Sequence, residues 1–271
     1  MVSVGVIPSR FASTRFPGKP LVKIAGRPLL EHVILGARKS NRLSEILVAT
    51  DHKEIAELAK TVGARVVMTD PNLPTGTDRV WAALKEAGLT HVDVAVNIQG
   101  DEPLIQAEPL DALVQAFEGR PQVDMATLGR AMDLSTPEGL EALEATTTAK
   151  IVLDESDQAL YFSRFAIPFS RVKPQAASAV SNALSKTTNS QGIRVPKSVL
   201  KHVGIYAYRP RFLERFCAAP PCELELFEGL EQLRALSLGA KIHVVRTHHE
   251  SWGVDTPEDV EKIEKMLNRR S

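Results

Sequence analysis

An open α/β fold with a mostly parallel central sheet flanked by helices is what this 271-residue sequence predicts, on three observations. Short apolar runs alternate with segments of helical period, the pattern of parallel strands joined by crossover helices. Gly, Pro and Asp punctuate the junctions where strands would end and helices begin. The length suffices to bury a substantial core, and 44% hydrophobic with 24% charged residues is ordinary for a globular protein.

Val2–Ile7 is the first strand candidate, and Gly26 and Pro28 stand before an amphipathic helical run from Pro28 to Lys39. Glu45–Thr50 follows as a strand, with Asp51 placed to cap a helix over His52–Val62. Gly63 ends that helix, Ala64–Met68 reads as a strand, and Asp78–Ala87 as a helix. Val92–Ile98 is nearly continuous in apolar residues and runs into Gln99-Gly100-Asp101. Lys150–Asp154 and Ala159–Phe162 are further strands, whereas Val172–Ser198 is rich in Ser, Ala, Asn, Thr and Lys and reads as an irregular excursion. His202–Arg209 resumes a strand. Glu223–Leu238 reads as one helix, because Leu226, Leu230, Leu233 and Ser237 recur at helical spacing. Lys241–Val245 and Pro257–Leu267 supply the last strand and helix. No internal repeat is present.

The charge balance narrows the function classes. Lys plus Arg equals Asp plus Glu at 33 each, so no global field favours nucleic acid or a membrane, and any anion site is local. No apolar run approaches the ~20 residues that span a bilayer, and the N-terminus has no basic region leading into an apolar core, so no secretory signal is expected. Cys217 and Cys222 are the only cysteines, which fits a reduced cytoplasmic setting and gives a poor case for structural zinc.

The most informative stretch is Ile7-Pro-Ser-Arg-Phe-Ala-Ser-Thr-Arg-Phe-Pro-Gly-Lys-Pro-Leu21. It follows the first strand, at the carboxyl end where open α/β sheets place ligands. Arg10, Arg15 and Lys19 there suit a polyphosphate, with small residues keeping the backbone approachable. Alone, such a loop is more often a solvated surface. Asp101 follows the Val92–Ile98 strand and suits a Mg²⁺ ligand facing nucleotide phosphates, or a cap for the next turn, while Glu102 reads as solvated. Asp255-Thr-Pro-Glu258 looks like a helix start, although capping and metal binding are compatible for one carboxylate. Arg164, Arg171, His202, Tyr206 and Tyr208 suit a pocket for a hydroxylated acid, against the plainer reading of packed tyrosines and a buried histidine. On the Glu223–Leu238 helix, Glu225, Glu228 and Gln232 share a face opposite the leucines that would ordinarily be solvated, with Glu231 flanking it.

Together, IPSRFASTRFPGKPL, VATD, TGTDR, NIQGDEP, YFSR, HVGIYAY, LEQLR and GVDTPED closely resemble the 3-deoxy-manno-octulosonate (Kdo) cytidylyltransferase family, the CMP-Kdo synthetases. The pieces occur in the family's order over most of the chain. The resemblance implies a Rossmann-like nucleotidyltransferase fold, a homodimer, and transfer of CMP from CTP to Kdo with Mg²⁺, releasing pyrophosphate for lipopolysaccharide inner-core synthesis. By position, it places Arg10, Arg15 and Lys19 on the triphosphate, with Ser13, Thr75, Gly76, Thr77, Arg79 and Gln99 near the nucleotide. It gives Asp101 and Asp255 to Mg²⁺, and Arg10, Lys19, Asp101 and Asp255 to catalysis. Gln99, Arg164, Arg171, His202, Tyr206, Glu231 and Gln232 would line the sugar-acid pocket. The implied domain is single, with a nucleotide-binding half at 1–130, a sugar-binding and dimer-forming region at 131–209, and closing elements at 210–271. The chain departs from the family at Thr146-Thr-Thr148, where a Pro-Asn pair is usual, and in the longer excursion after Arg171.

Three other readings compete. Cytidylyltransferases for 8-amino-Kdo or a sialic-acid-like sugar would need only small pocket changes. A catalytically silent nucleotide-binding regulatory module would be favoured by loss of Lys19, Asp101 or Asp255, and all three are present. A glycosyltransferase using a finished nucleotide sugar would want an Asp-x-Asp-like motif, which Gln99-Gly-Asp-Glu102 does not supply.

Overall fold

The computed structural model describes residues 1–12, 16–133, 136–169 and 197–270. The chain divides into two compact units, one made of Met1–Pro121, Gly204–Ala218 and His249–Ser271, the other of Gln122–Val203 and Ala219–His248.

In the first unit, strand β1 (Ser3–Ser9) lies at the centre of a parallel set. Two short strands, β2 (Lys23–Ile24) and β3 (Arg27–Pro28), form a small hairpin after it. β4 (Glu45–Thr50) pairs along one side of β1 with Val4 opposite Glu45, and β5 (Arg65–Met68) extends that side. β6 (Val94–Asn97) pairs along the other side, with Ser3 opposite Val94. The crossovers are α1 (Leu29–Ala37), α2 (Lys53–Thr61) and α3 (Gly76–Glu86), with α4 (Ala107–Gln115) following β6. Val6, Ile7, Leu47, Val48, Val94 and Val96 are all 0% exposed, which explains the unbroken apolar runs: these strands are covered on both faces.

In the second unit, β7 (Met125–Arg130) runs parallel to the Ile242–Thr247 strand, with Met125 opposite Ile242. β8 (Lys150–Leu153) pairs antiparallel with β9 (Ala159–Ser163) and with the first residues of the Val199–Tyr208 strand. That last strand supplies residues to both units, its end pairing antiparallel with β6 at Tyr206 and Asn97.

The predicted α/β class with a mostly parallel sheet is observed, and most boundaries fall within two residues of expectation. Sequence reasoning passed over β7, whose Thr127 and Gly129 break the apolar run. Gly129 is there for space: a Cβ would sit 2.6 Å from the Leu200 side chain and 2.9 Å from that of Val244.

Two expectations are corrected. Glu223–Leu238 is not one helix but two short ones, Glu223–Glu228 and Gln232–Ser237. Gly229 breaks it, adopting left-handed φ 63°. The face assignment changes with it: Leu226 is 72% exposed, while Glu225 and Gln232, expected in solvent, are buried. Asp51 does not cap α2 either; His52 holds the cap position without a side-chain bond, and Asp51 pairs with Arg79. Ser13, Arg15, Arg171 and nearly all of the 172–198 excursion lie outside the described residues.

Candidate active site

The first unit concentrates its charged motifs where β1 and β6 end. Beyond β1, Gly18 takes left-handed φ 69° and opens a 3-10 turn over Lys19–Leu21. The loop is pinned at Phe11: its carbonyl accepts from Gly18 N–H at 3.0 Å, and its own N–H donates to Asp51 Oδ1 at 3.3 Å. The Phe11 ring stacks on His52 with centroids 4.1 Å apart. Pinning both ends of the loop directs Lys19 inward, where Nζ donates to Asp101 Oδ2 at 2.8 Å and to Asp255 Oδ1 at 3.3 Å.

Each carboxylate arrives by its own route. Asp101 follows β6 through Gly100, where a Cβ would lie 2.8 Å from the Pro8 carbonyl oxygen, so only glycine lets this loop press against β1. Asp255 precedes the Pro257–Arg270 helix. Asp259 Oδ2 accepts the N–H of Asp255 at 3.1 Å and of Thr256 at 3.0 Å, leaving the Asp255 carboxylate to reach Lys19. A Val254 N–H bond to the Asp101 carbonyl, 2.9 Å, joins the two loops.

A cavity of about 390 Å³ opens here, lined by Arg10, Lys19, Arg79, Gln99, Asp101 and Asp255 among others. Gly76, the first residue of α3, also lines it, so a helix N-terminus adds positive potential. Thr75 is committed to that helix, its hydroxyl accepting Asp78 N–H at 3.1 Å, and Thr77 is buried. Arg79 is 1% exposed, ion-paired to Asp51 at 3.1 Å and bonded to Thr69 Oγ1 at 2.5 Å. Burial lowers its pKa, Asp51 opposes that shift, and the nearby Arg10 adds to it. Two cations close enough to repel one another favour an anion between them and solvent. The Gln99 amide N–H donates to the Gly204 carbonyl at 2.9 Å, which orients its side chain.

Of the residues expected near a sugar acid, Tyr206 belongs with Gln99 to the first unit, and Arg164, His202, Glu231 and Gln232 to the second. Arg164 is a cross-link. Its Nε donates to the Glu228 carbonyl at 2.8 Å, Nη1 to Thr146 O at 3.2 Å, and Nη2 to Gly229 O at 3.3 Å. Ser163 Oγ and the Arg164 N–H bind the Glu228 carboxylate at 2.7 and 2.9 Å. His202 Nε2 lies 3.1 Å from Thr127 Oγ1, and its ring meets Phe162 edge-on at 5.4 Å. Burial pushes its pKa down to about 3, so the imidazole is neutral at pH 7. Gln232 is 3% exposed, and Glu231 precedes its helix without a side-chain cap bond.

Lys150 and Glu102 are buried ionisable residues near these motifs that the sequence reading did not turn inward. Lys150 is 0% exposed and donates to the carbonyls of Ala145 at 3.0 Å, Thr148 at 2.7 Å and Arg164. Burial lowers its pKa. Glu102, expected in solvent, is 4% exposed, with Ser251 Oγ donating to it. A charged residue one step from Asp101, itself in a polar loop, carries no sequence signal of being turned inward.

Among the described residues no three His, Cys, Asp or Glu side chains gather into an all-protein metal cage. The donor set nonetheless fits Mg²⁺, which takes one or two carboxylates and completes its shell with water and substrate phosphates.

Residues 4–242 match a family model described as cytidylyltransferase. The chain is 49% identical to a 3-deoxy-manno-octulosonate cytidylyltransferase of Bdellovibrio bacteriovorus, with 99% of this chain and 98% of the relative covered. An 8-amino-3,8-dideoxy-manno-octulosonate cytidylyltransferase of Shewanella oneidensis is 40% identical, with 97% of each chain covered. Among solved structures, a CMP:2-keto-3-deoxy-manno-octonic acid synthetase complexed with CTP matches with TM-score 0.84 at 33% identity, with 100% of both chains covered.

Proposed function

The chain belongs to the cytidylyltransferase family, and from that premise we propose that it transfers CMP from CTP to the anomeric hydroxyl of Kdo, giving CMP-Kdo and pyrophosphate for the lipopolysaccharide inner core. The observation that carries this reading is the convergence of Asp101 and Asp255 on Lys19 in a cavity also lined by Arg10 and Arg79. A polyphosphate needs the cations, and a metal-assisted transfer needs the two carboxylates. Relatives that activate Kdo and 8-amino-Kdo both align along nearly the whole chain, so the amino sugar stands as the second substrate to test.

The chemistry is an in-line displacement. The anomeric oxygen forms a bond to the α-phosphorus, the bond from that phosphorus to the pyrophosphate oxygen breaks, and the hydroxyl proton leaves to solvent. Arg10 and Lys19 neutralise the triphosphate, Lys19 being released to it as the carboxylates exchange partners. The amino end of α3 and the Gly100 turn hold the cavity walls in place, so that catalysis rests on positioning and charge neutralisation. Asp101 and Asp255 would hold Mg²⁺, which when bound polarises the α-phosphate and makes the attacking hydroxyl more acidic.

The protein acts in this reading as a cytoplasmic homodimer. No described helix is long and apolar enough to cross a membrane. Self-association is supported by Phe165, Phe169, Leu226 and Phe227 of the second unit, 74%, 88%, 72% and 91% exposed.

The test is pyrophosphate release with CTP and Mg²⁺, using Kdo, 8-amino-Kdo, a sialic acid or no sugar. Release with Kdo alone, or with Kdo in preference to its amino analogue, is the expected result. Asp101→Asn should fold normally and lose on the order of 10² or more in kcat. Near-normal turnover in that variant would remove the metal assignment. Folded protein that binds CTP yet releases nothing with any sugar would point to the regulatory module.

A further inference from the structure

Glu102 stands next to a carboxylate that the reaction uses, yet it faces the other way. Asp101 reaches Lys19 in the cavity, whereas Glu102 is 4% exposed and turned beneath the loop. A carboxylate in such a place loses its hydration, so its retention calls for partners and for a reason. Its hydrogen-bond donor and the nearest imidazole come from one segment. Ser251 Oγ donates to Oε1, and His249 Nε2, itself 7% exposed, lies 3.8 Å from Oε2. Both precede Asp255 in the segment that brings the second carboxylate to the cavity.

We propose that Glu102 is a positioning residue for the reaction: its buried carboxylate clasps the 249–251 segment to the loop bearing Asp101, which sets the spacing of Asp101 and Asp255 at Lys19. The turn that carries it is itself ordered, with Glu102 N–H donating to Gln99 O at 3.3 Å and Ile105 N–H to Glu102 O at 3.1 Å. The Val254 N–H bond to the Asp101 carbonyl, 2.9 Å, is a second tie between the same two loops. One bond leaves a hinge, and the Glu102 clasp closes it from the side away from the cavity. Without the clasp the 249–255 segment pivots about Val254, and Asp255 no longer shares a cation with Asp101. The inference rests on the metal role given above to those two carboxylates.

The experiment compares full-length wild type with Glu102→Ala, Glu102→Gln and Ser251→Ala. Three quantities are read: the dissociation constant of CTP without metal, that of Mn²⁺ for the protein–CTP complex by its electron spin resonance signal, and the melting temperature. Glu102→Ala should weaken Mn²⁺ about tenfold while metal-free CTP binding stays within about twofold, since the triphosphate cations are untouched. Ser251→Ala, which removes one tie, should show a smaller loss, and Glu102→Gln, which still accepts from Ser251, should recover most of it. A purely structural role would instead lower the melting temperature and weaken CTP and Mn²⁺ together, and that result overturns the proposal. So does wild-type Mn²⁺ affinity in folded variants. If Glu102→Ala fails to fold, unchanged Mn²⁺ affinity in Ser251→Ala decides against it. A wild type that binds CTP but no Mn²⁺ overturns the metal reading and the clasp with it, whereas normal wild-type binding with indifferent variants overturns the clasp alone.

Discussion

His202 shows how one side chain couples the second unit to pH. Its imidazole is held neutral, with a pKa of about 3 caused by burial, against about 6.5 in an unfolded chain. Between those values the unfolded state binds a proton that the folded state refuses, so acidification favours unfolding. The stability linked to this group is complete above about pH 6.5 and falls toward pH 3, by at most about 1.4 kcal/mol per pH unit. Urea unfolding at pH 6.5 and 5.0 should therefore show wild type losing up to about 2 kcal/mol more than His202→Gln, which keeps a polar group for Thr127. Parallel slopes would mean that His202 takes up its proton in the folded protein.

At the scale of elements, the break at Gly229 does what a continuous helix would not. It turns the Glu228 and Gly229 carbonyls toward the Arg164 guanidinium and lets Glu225 pair with Arg234 at 2.7 Å inside the second unit. A Cβ at Gly229 would meet nothing closer than Arg164 Nη2 at 4.0 Å, so the demand is for left-handed backbone, not for room. Gly229→Ala should cost about 1–2 kcal/mol in urea unfolding, and Gly229→Asn distinctly less, because Asn tolerates this conformation. Equal losses would argue for a steric cause. The Thr146–Thr148 segment is held by main-chain carbonyls bonded to Arg164 and Lys150, contacts that do not depend on side-chain identity.

At the scale of the whole molecule, the four most exposed large apolar side chains among the described residues, Phe165, Phe169, Leu226 and Phe227, sit in the second unit, Phe227 at 91%. If that surface is where two copies meet, light scattering should give twice the monomer mass for wild type and the monomer mass for Phe227→Glu, with helix content unchanged. A wild type that is monomeric at micromolar concentration removes the homodimer.

The sequence by itself determined the α/β class, the strand-end location of the basic loop, and Lys19, Asp101 and Asp255 as the candidate charged groups gathered there. These are local properties: apolar runs buried on both faces must end in polar loops, and cations and carboxylates clustered there are visible residue by residue. Only the tertiary structure decided which polar groups face inward. Glu102 is buried with Ser251, 149 positions away, donating to it, and Asp51 pairs with Arg79 where its neighbours suggest a helix cap. A side chain's destination is set by what the fold lays across it, through contacts such as that of Lys19 with Asp255, 236 positions apart, and no local pattern encodes those.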